Sequence, residues 1–194
     1  MDKIIALCVG HSRRLVSGRP EGGAVAVDGK TQEWAWNAGL ARQIAQQLHD
    51  AHGLSALIVD DYRGHGYGGS MRRLGALLAA EHVALAVELH FNSSAPQAHG
   101  HEWLHWHSSG KGKLAATQLH LAMCAAFPSI RPRGVKGITI AERGAKFLRE
   151  THCPAVIAEP FFGSNQNDFA LISQAPQRLA RAIAAGLAAT LPRL

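Results

Sequence analysis

Cysteine is scarce in this 194-residue chain, with three in all, Cys8, Cys124 and Cys153. An odd number of distant cysteines without a CxxC spacing argues against a disulfide framework, and they read as reduced, structural thiols. Long apolar runs are also missing. Nothing approaches the roughly 18 to 20 residues that cross a bilayer, so no integral membrane segment is expected. Met1-Asp2-Lys3 leads straight into a short strand-like run, without the apolar stretch of about 7 to 15 residues and the cleavage site of a secretory signal. Synthesis in the cytoplasm without a signal peptide is the expectation. Repeats and low-complexity tracts are absent, which leaves one domain, residues 1–194, as the default for this length. Acidic residues are the minority: 14 Asp and Glu against 20 Lys and Arg give a net charge of +6, which favours polyanionic surroundings. The basic residues are not interleaved with aromatics as base-stacking surfaces require, so nucleic acid is not expected as a partner.

Histidine, by contrast, is plentiful, at 12 residues. It is the commonest metal ligand, and its placement matters here. Four continuous apolar runs, Ile4 to Val9, Ala56 to Val59, Val83 to Val87 and Ala155 to Ala158, have the unalternating character of strands buried on both faces. Between and after them, Leu40, Ile44 and Leu48, and again Leu179, Ile183 and Leu187, recur at helical spacing, with Pro176 suited to the last helix's first turn. Loop-like stretches cover 12–30, 63–70 and 127–137. The order predicts an α/β fold, a single twisted, mostly parallel sheet with helices on both faces. Polar residues gather where the runs stop: Gly10-His11, Asp60-Asp61, Glu88 with His90-Phe91-Asn92, and Glu159. Ligand crevices of open α/β sheets lie at the carboxyl ends of the strands, which is where His11, His90 and Glu159 would meet.

A catalytic zinc takes three nitrogen or oxygen ligands and keeps one position open, and His11, Glu33 and His90 form such a set. Thr31 is a plausible N-cap that places Glu33 in a first helical turn facing the strand ends. Pro160 holds Glu159 extended, available as a general base. These residues, read with their neighbours, resemble the zinc N-acetylmuramoyl-L-alanine amidases of the Amidase_3 type. Gly10-His11-Ser12 looks like the opening GH element and Glu33 like the metal carboxylate. Glu88-Leu89-His90-Phe91-Asn92 resembles the S-I-H-A-N segment, and Pro154 to Asn165 resembles P-A-V-L-V-E-x-G-F-x-S-N. Three departures stand out. Ser12-Arg13-Arg14 replaces a glycine-rich loop, Glu88 stands where a small Ser is common, and Pro160-Phe161 replaces a glycine before the phenylalanine.

The resemblance implies one zinc per chain on His11, Glu33 and His90, at the carboxyl ends of the strands, with Glu159 catalytic. The bond cut is the amide between N-acetylmuramic acid and L-alanine in bacterial peptidoglycan. It also implies a catalytic domain without a separate wall-binding domain, like a phage endolysin, acting as a monomer on the cell wall of the host periplasm after release. Arg13, Arg14, Asn92, Trp103 and Asn165 are candidates for the substrate groove, since arginine forks suit stem-peptide carboxylates. If His101 to His107 is a strand, alternation puts His101, Trp103, His105 and His107 on one face, and the solvent side of an edge strand is the favoured reading over a groove wall. His152-Cys153 is not read as a nucleophile and base pair, because strand neighbours point to opposite faces. Two alternatives share the sequence: a zinc peptidase on the same site, and an inactive wall-binding or activator module.

Overall fold

The computed structural model describes residues 3–11, 15–16, 19–62 and 64–194. Four of the apolar runs become parallel strands: β1 (Ile4–Val9), and, further along, Ala56–Val59, Val83–Leu89 and Ala155–Glu159. A short antiparallel ribbon, β2 (Leu15–Val16) with β3 (Arg19–Pro20), follows β1. Then come α1 (Glu33–His52), β4 (Ala56–Val59), α2 (Gly66–Ala80), β5 (Val83–Leu89), β6 (His101–Trp106), α3 (Gly110–Ala126), β7 (Pro132–Ile138), α4 (Ala145–Glu150), β8 (Ala155–Glu159), α5 (Gln166–Ser173) and α6 (Pro176–Thr190). The main sheet runs β4-β1-β5-β8-β6-β7. All neighbours are parallel except β6 and β8, which are antiparallel. This is the predicted mostly parallel sheet.

Burial on both faces explains why the strand sequences do not alternate. On β1, Ile5, Leu7 and Val9 enter one core with α1, α3 and α6, while Ala6 and Cys8 enter a second core with α2 and α4. Period-two geometry sends successive side chains to opposite faces, and helices wait on each. Leu40, Ile44 and Leu48 of α1 and Leu179, Ile183 and Leu187 of α6 are the buried stripes that the spacing predicts. Pro176 occupies the first turn of α6, where its missing N–H has no partner to lose.

Three expectations change. The stretch 127–137, read as loop, contains the edge strand β7, whose sequence Pro-Arg-Gly-Val-Lys-Gly-Ile carries the Pro, Gly and charge that edge strands use against further pairing. The stretch 63–70 contains the start of α2, whose glycines resemble a loop although Met71, Leu74 and Leu78 anchor the helix in the core. Finally, β6 lies inside the sheet between β8 and β7, not at its edge. His101 and Trp103 are fully buried and His105 nearly so. Trp103 is therefore a core residue, and its assignment to a substrate groove is corrected: the indole N–H donates to His101 Nδ1 at 3.0 Å and no ring surface meets solvent.

Candidate metal centre

Parallel strands end side by side, and that is how three distant residues meet. His11 lies just past the end of β1, His90 directly follows β5, and Glu159 is the last residue of β8. Glu33, the first residue of α1, closes the group from above the sheet edge. The two histidine rings meet edge to face with centroids 5.0 Å apart. Glu33 stands between them, Oε2 3.2 Å from His11 Nε2 and Oε1 2.9 Å from His90 Nδ1.

The carboxylate is held by the backbone. Ala24 N–H donates to Oε2 at 2.9 Å and Phe91 N–H to Oε1 at 3.2 Å. Thr31 does not cap α1 as expected. The cap position is Gln32, without a side-chain bond, and the Thr31 hydroxyl turns back to Asp28. The first-turn amides are satisfied instead by the preceding loop, Glu33 N–H by Ala24 O and Trp34 N–H by Gly22 O. That loop is tied across the site by Val27 N–H to Gly163 O, and Gly163 N–H in turn reaches Asn92 O.

Two glycines make room for the donors. A Cβ on Gly10 would collide with the His90 ring, and one on Gly23, whose φ is +79°, would lie 2.6 Å from Glu33 Oε2 and also strike the His11 ring. His11 itself holds φ 66°, a left-handed conformation that costs a non-glycine residue roughly 1–2 kcal/mol and turns its ring toward Glu33.

The electrostatics of these groups follow from their burial and their contacts with one another. Burial alone would raise the Glu33 pKa, but hydrogen bonds from His11 and His90 and their charges overcome it and lower it to about 2. Burial would lower that of His90, yet hydrogen bonds with Glu33 and Glu88 and the charges of Glu88 and Glu159 raise it well above an ordinary imidazole. Glu159 is pushed the other way. Burial raises it to about 8 against the attraction of His90, with Glu33, Glu102 and Glu88 adding repulsion. Its Oε2 is buried without a hydrogen-bond partner. Glu33 thus stands between two imidazoles, with the buried, partnerless Oε2 of Glu159 beside them.

The donor set fits a divalent ion. One atom from each of His11, Glu33 and His90 lies within 4.8 Å of the other two. Tetrahedral zinc with bonds of about 2.0–2.2 Å needs its donors roughly 3.3–3.6 Å apart, a small adjustment from the distances here.

A second trio, His101, His120 and Cys124, meets the same distance test. Its hydrogen bonds speak against a metal. Because Trp103 donates to His101 Nδ1, the neutral imidazole keeps its proton on Nε2, and that N–H faces Cys124 Sγ at 3.8 Å. A metal there would need the same nitrogen stripped of its proton. Burial also keeps His101 neutral, lowering it to about 4, with the nearby His120 adding to the effect.

The remaining expectations divide. Asn92 follows His90 by two residues and its amide donates to Glu102 Oε1 at 2.9 Å, while Glu102 Oε2 is paired with Arg133 Nε at 2.7 Å and with Lys136 Nζ. Asn165 caps α5, accepting from Asn167 and Asp168 N–H, and its own amide donates to Pro96 O, so its bonds are those of a loop clamp. Arg13 and Arg14 lie outside the described residues. Cys153 sits ahead of β8 rather than within it, and burial lifts its thiol to about 11, which removes the thiolate that a nucleophile requires. Sequence reading missed the roles of Gly23, Glu88 and the Glu102–Arg133–Lys136 cluster. For Glu88 the signal was present: a charged residue inside an apolar strand, two positions before His90.

Comparisons with known proteins follow the same lines. A search of curated protein sequences gave no match. Among solved structures, the catalytic domain of CwlV, an N-acetylmuramoyl-L-alanine amidase from Bacillus (Paenibacillus) polymyxa var. colistinus, superposes with a TM-score of 0.79 at 21% identity, covering 98% of both chains. The catalytic domain of the CD27L endolysin, which targets Clostridia difficile, gives 0.78 at 24% identity over 95% of this chain and 96% of that one. Ami1, an N-acetylmuramyl-L-alanine amidase from Mycobacterium smegmatis, gives 0.79 at 19% identity over 99% and 98%. The family model of N-acetylmuramoyl-L-alanine amidases matches residues 5–189. With that span of the chain matched, the protein belongs to the N-acetylmuramoyl-L-alanine amidase family.

Proposed function

We propose that this protein hydrolyses the amide between the lactyl group of N-acetylmuramic acid and L-alanine in peptidoglycan, using one zinc ion held by His11, Glu33 and His90 and a proton carried by Glu159. The observation that supports it most is the convergence of a His-Glu-His donor set on a buried, partnerless carboxyl oxygen of Glu159. Zinc bound to such a set lowers the pKa of water toward about 7 and polarises the scissile carbonyl.

The chain's own residues do the rest. Glu33, pinned by two backbone amides, keeps the imidazoles of His11 and His90 in register. Glu159 takes the proton from water as its oxygen bonds to the carbonyl carbon, then gives that proton to the departing alanine nitrogen as the C–N bond breaks. The products are a free lactyl carboxylate and a peptide with a new amino terminus. A raised pKa suits the middle of this sequence, when Glu159 must hold the proton between the two transfers. The site of action in this reading is the cell wall, and the net charge of +6 favours its anionic polymers.

Digestion of purified sacculi by zinc-loaded protein tests the reading. New L-alanine amino termini are expected. New D-alanine or diaminopimelate termini would instead identify a peptidase, and sacculus binding without soluble fragments would identify an inactive wall-binding module.

A further inference from the structure

We infer that Glu88 is a positioning residue that acts through His90, holding the proton on Nε2 so that Nδ1 presents its lone pair to the metal. The inference rests on the zinc reading of the preceding subsection.

Glu88 and His90 are two positions apart at the end of β5, so both extend to the same face of the sheet. The residues between which Glu88 is wedged are apolar: Leu85, Ala86, Val87 and Leu89 are all buried. A carboxylate there is expensive, since burying a charge without partners costs far more than a side chain of similar size gains. Glu88 is only 3% exposed, and among the described residues Tyr62 and His90 meet its two carboxylate oxygens. Oε1 accepts from the Tyr62 hydroxyl at 3.1 Å, and that hydroxyl has a rival acceptor in Val9 O at 3.0 Å. Oε2 lies 3.4 Å from His90 Nε2.

His90 thus has a carboxylate at each nitrogen, Glu33 at Nδ1 and Glu88 at Nε2. The two differ in kind. Glu33 lies between His90 Nδ1, at 2.9 Å, and His11 Nε2, at 3.2 Å, so in the zinc reading Nδ1 is the nitrogen turned toward the metal position. A neutral imidazole has one N–H and one lone pair, and a ligand nitrogen needs the lone pair. The proton must then sit on Nε2, and in this buried place Glu88 is the group that accepts it. A carboxylate in that position fixes the ring's tautomer and orientation and makes Nδ1 a more basic donor. Gly10 completes the arrangement, because the His90 ring packs where any Cβ at that position would stand. The ring is therefore held flat by backbone on one side and aimed by Glu88 at its far nitrogen.

Serine, the residue that the family resemblance leads one to expect here, is too short to span the same gap with a charge. Glu88 reaches His90 Nε2 and is supported on its other oxygen by the Tyr62 hydroxyl.

The test measures zinc affinity by competition with a chromogenic chelator for the wild type, Glu88→Ala and Glu88→Gln. Loss of the outer partner is expected to weaken zinc 10- to 100-fold in Glu88→Ala. Glu88→Gln keeps the shape and an acceptor oxygen but no charge, and should fall between the two, which separates the effect from poor folding. Nitrogen-15 spectra of His90 in the zinc-loaded wild type should show a protonated Nε2 and a metal-bound Nδ1. Wild-type affinity in both variants, or a proton on Nδ1 with zinc on Nε2, overturns the role of Glu88 while leaving the zinc reading intact. A wild type that takes up no zinc overturns both.

Discussion

Two clusters among the described residues pass the same test of distance and differ in how their histidines are hydrogen-bonded. In one, His11 and His90 flank Glu33, which backbone amides hold in place, and one His90 nitrogen looks outward to Glu88. In the other, His101 receives a hydrogen bond on the nitrogen that ought to give one, and its remaining N–H points at a thiol. Proximity of donors is therefore not competence. What the far nitrogen of each histidine does, and whether a negative charge is present to balance the ion, separates a metal centre from a hydrogen-bonded piece of core.

The comparison can be broken most sharply at the ligands. His90→Ala or Glu33→Ala should abolish stoichiometric zinc and reduce amide hydrolysis by on the order of 10³-fold or more, the several kcal/mol that metal activation supplies. Metal analysis beside product release on sacculi checks both. Zinc should also leave the wild type as pH falls, because the ion must displace the proton that His90 holds with a raised pKa. Affinity that is flat between neutral and mildly acidic pH would contradict that charge balance.

Glu159→Gln comes next. About one zinc per chain should remain while turnover drops by roughly 10² to 10⁴, the usual worth of a positioned acid and base. A variant that loses its zinc would mean that Glu159 is a ligand.

Stability, not zinc, should respond in the second cluster. His101→Phe leaves the buried Trp103 N–H without its acceptor and is expected to cost about 1–3 kcal/mol in denaturant unfolding, with zinc content unchanged. The wild type carries a matching pH signature. The folded-state pKa of His101 is lowered to about 4, below the 6.5 of a free imidazole. The unfolded chain therefore binds more protons in that window, so this contribution is complete above about pH 6.5 and is lost as pH falls toward 4. Cys124→Ala should be the mildest change, about 1 kcal/mol or less, since it removes only two weak sulfur contacts, to His101 and His120, at a half-buried position. A fall in zinc stoichiometry in either variant would erase the distinction between the clusters.

Much of this arrangement was legible beforehand, and the reason is local. The runs of β1, β4, β5 and β8 announce strands buried on both faces, and polar residues at their ends announce a site, because both signals are written in consecutive residues. Strand β7 and the start of α2 were hidden because their Gly, Pro and charged residues carry loop composition, and only partners in space give them regular structure. Trp103 was misplaced for a related reason: alternation tells which residues share a face, not what covers that face. Since β6 lies between β8 and β7, with α3 packed over it, a face that looked solvent-bound is core.

By itself the sequence determined which side chains can bind a cation, the strand and helix periods that carry them, and the family signature around His90 and Glu159. Tertiary structure decided the rest: that Glu33 Oε1 and Oε2 each find an imidazole, that Glu88 stands at the back of His90, and that the His101 cluster is occupied by its own hydrogen bonds. Residue type sets what a group can donate or accept, but only the position of its neighbours settles which nitrogen keeps the proton.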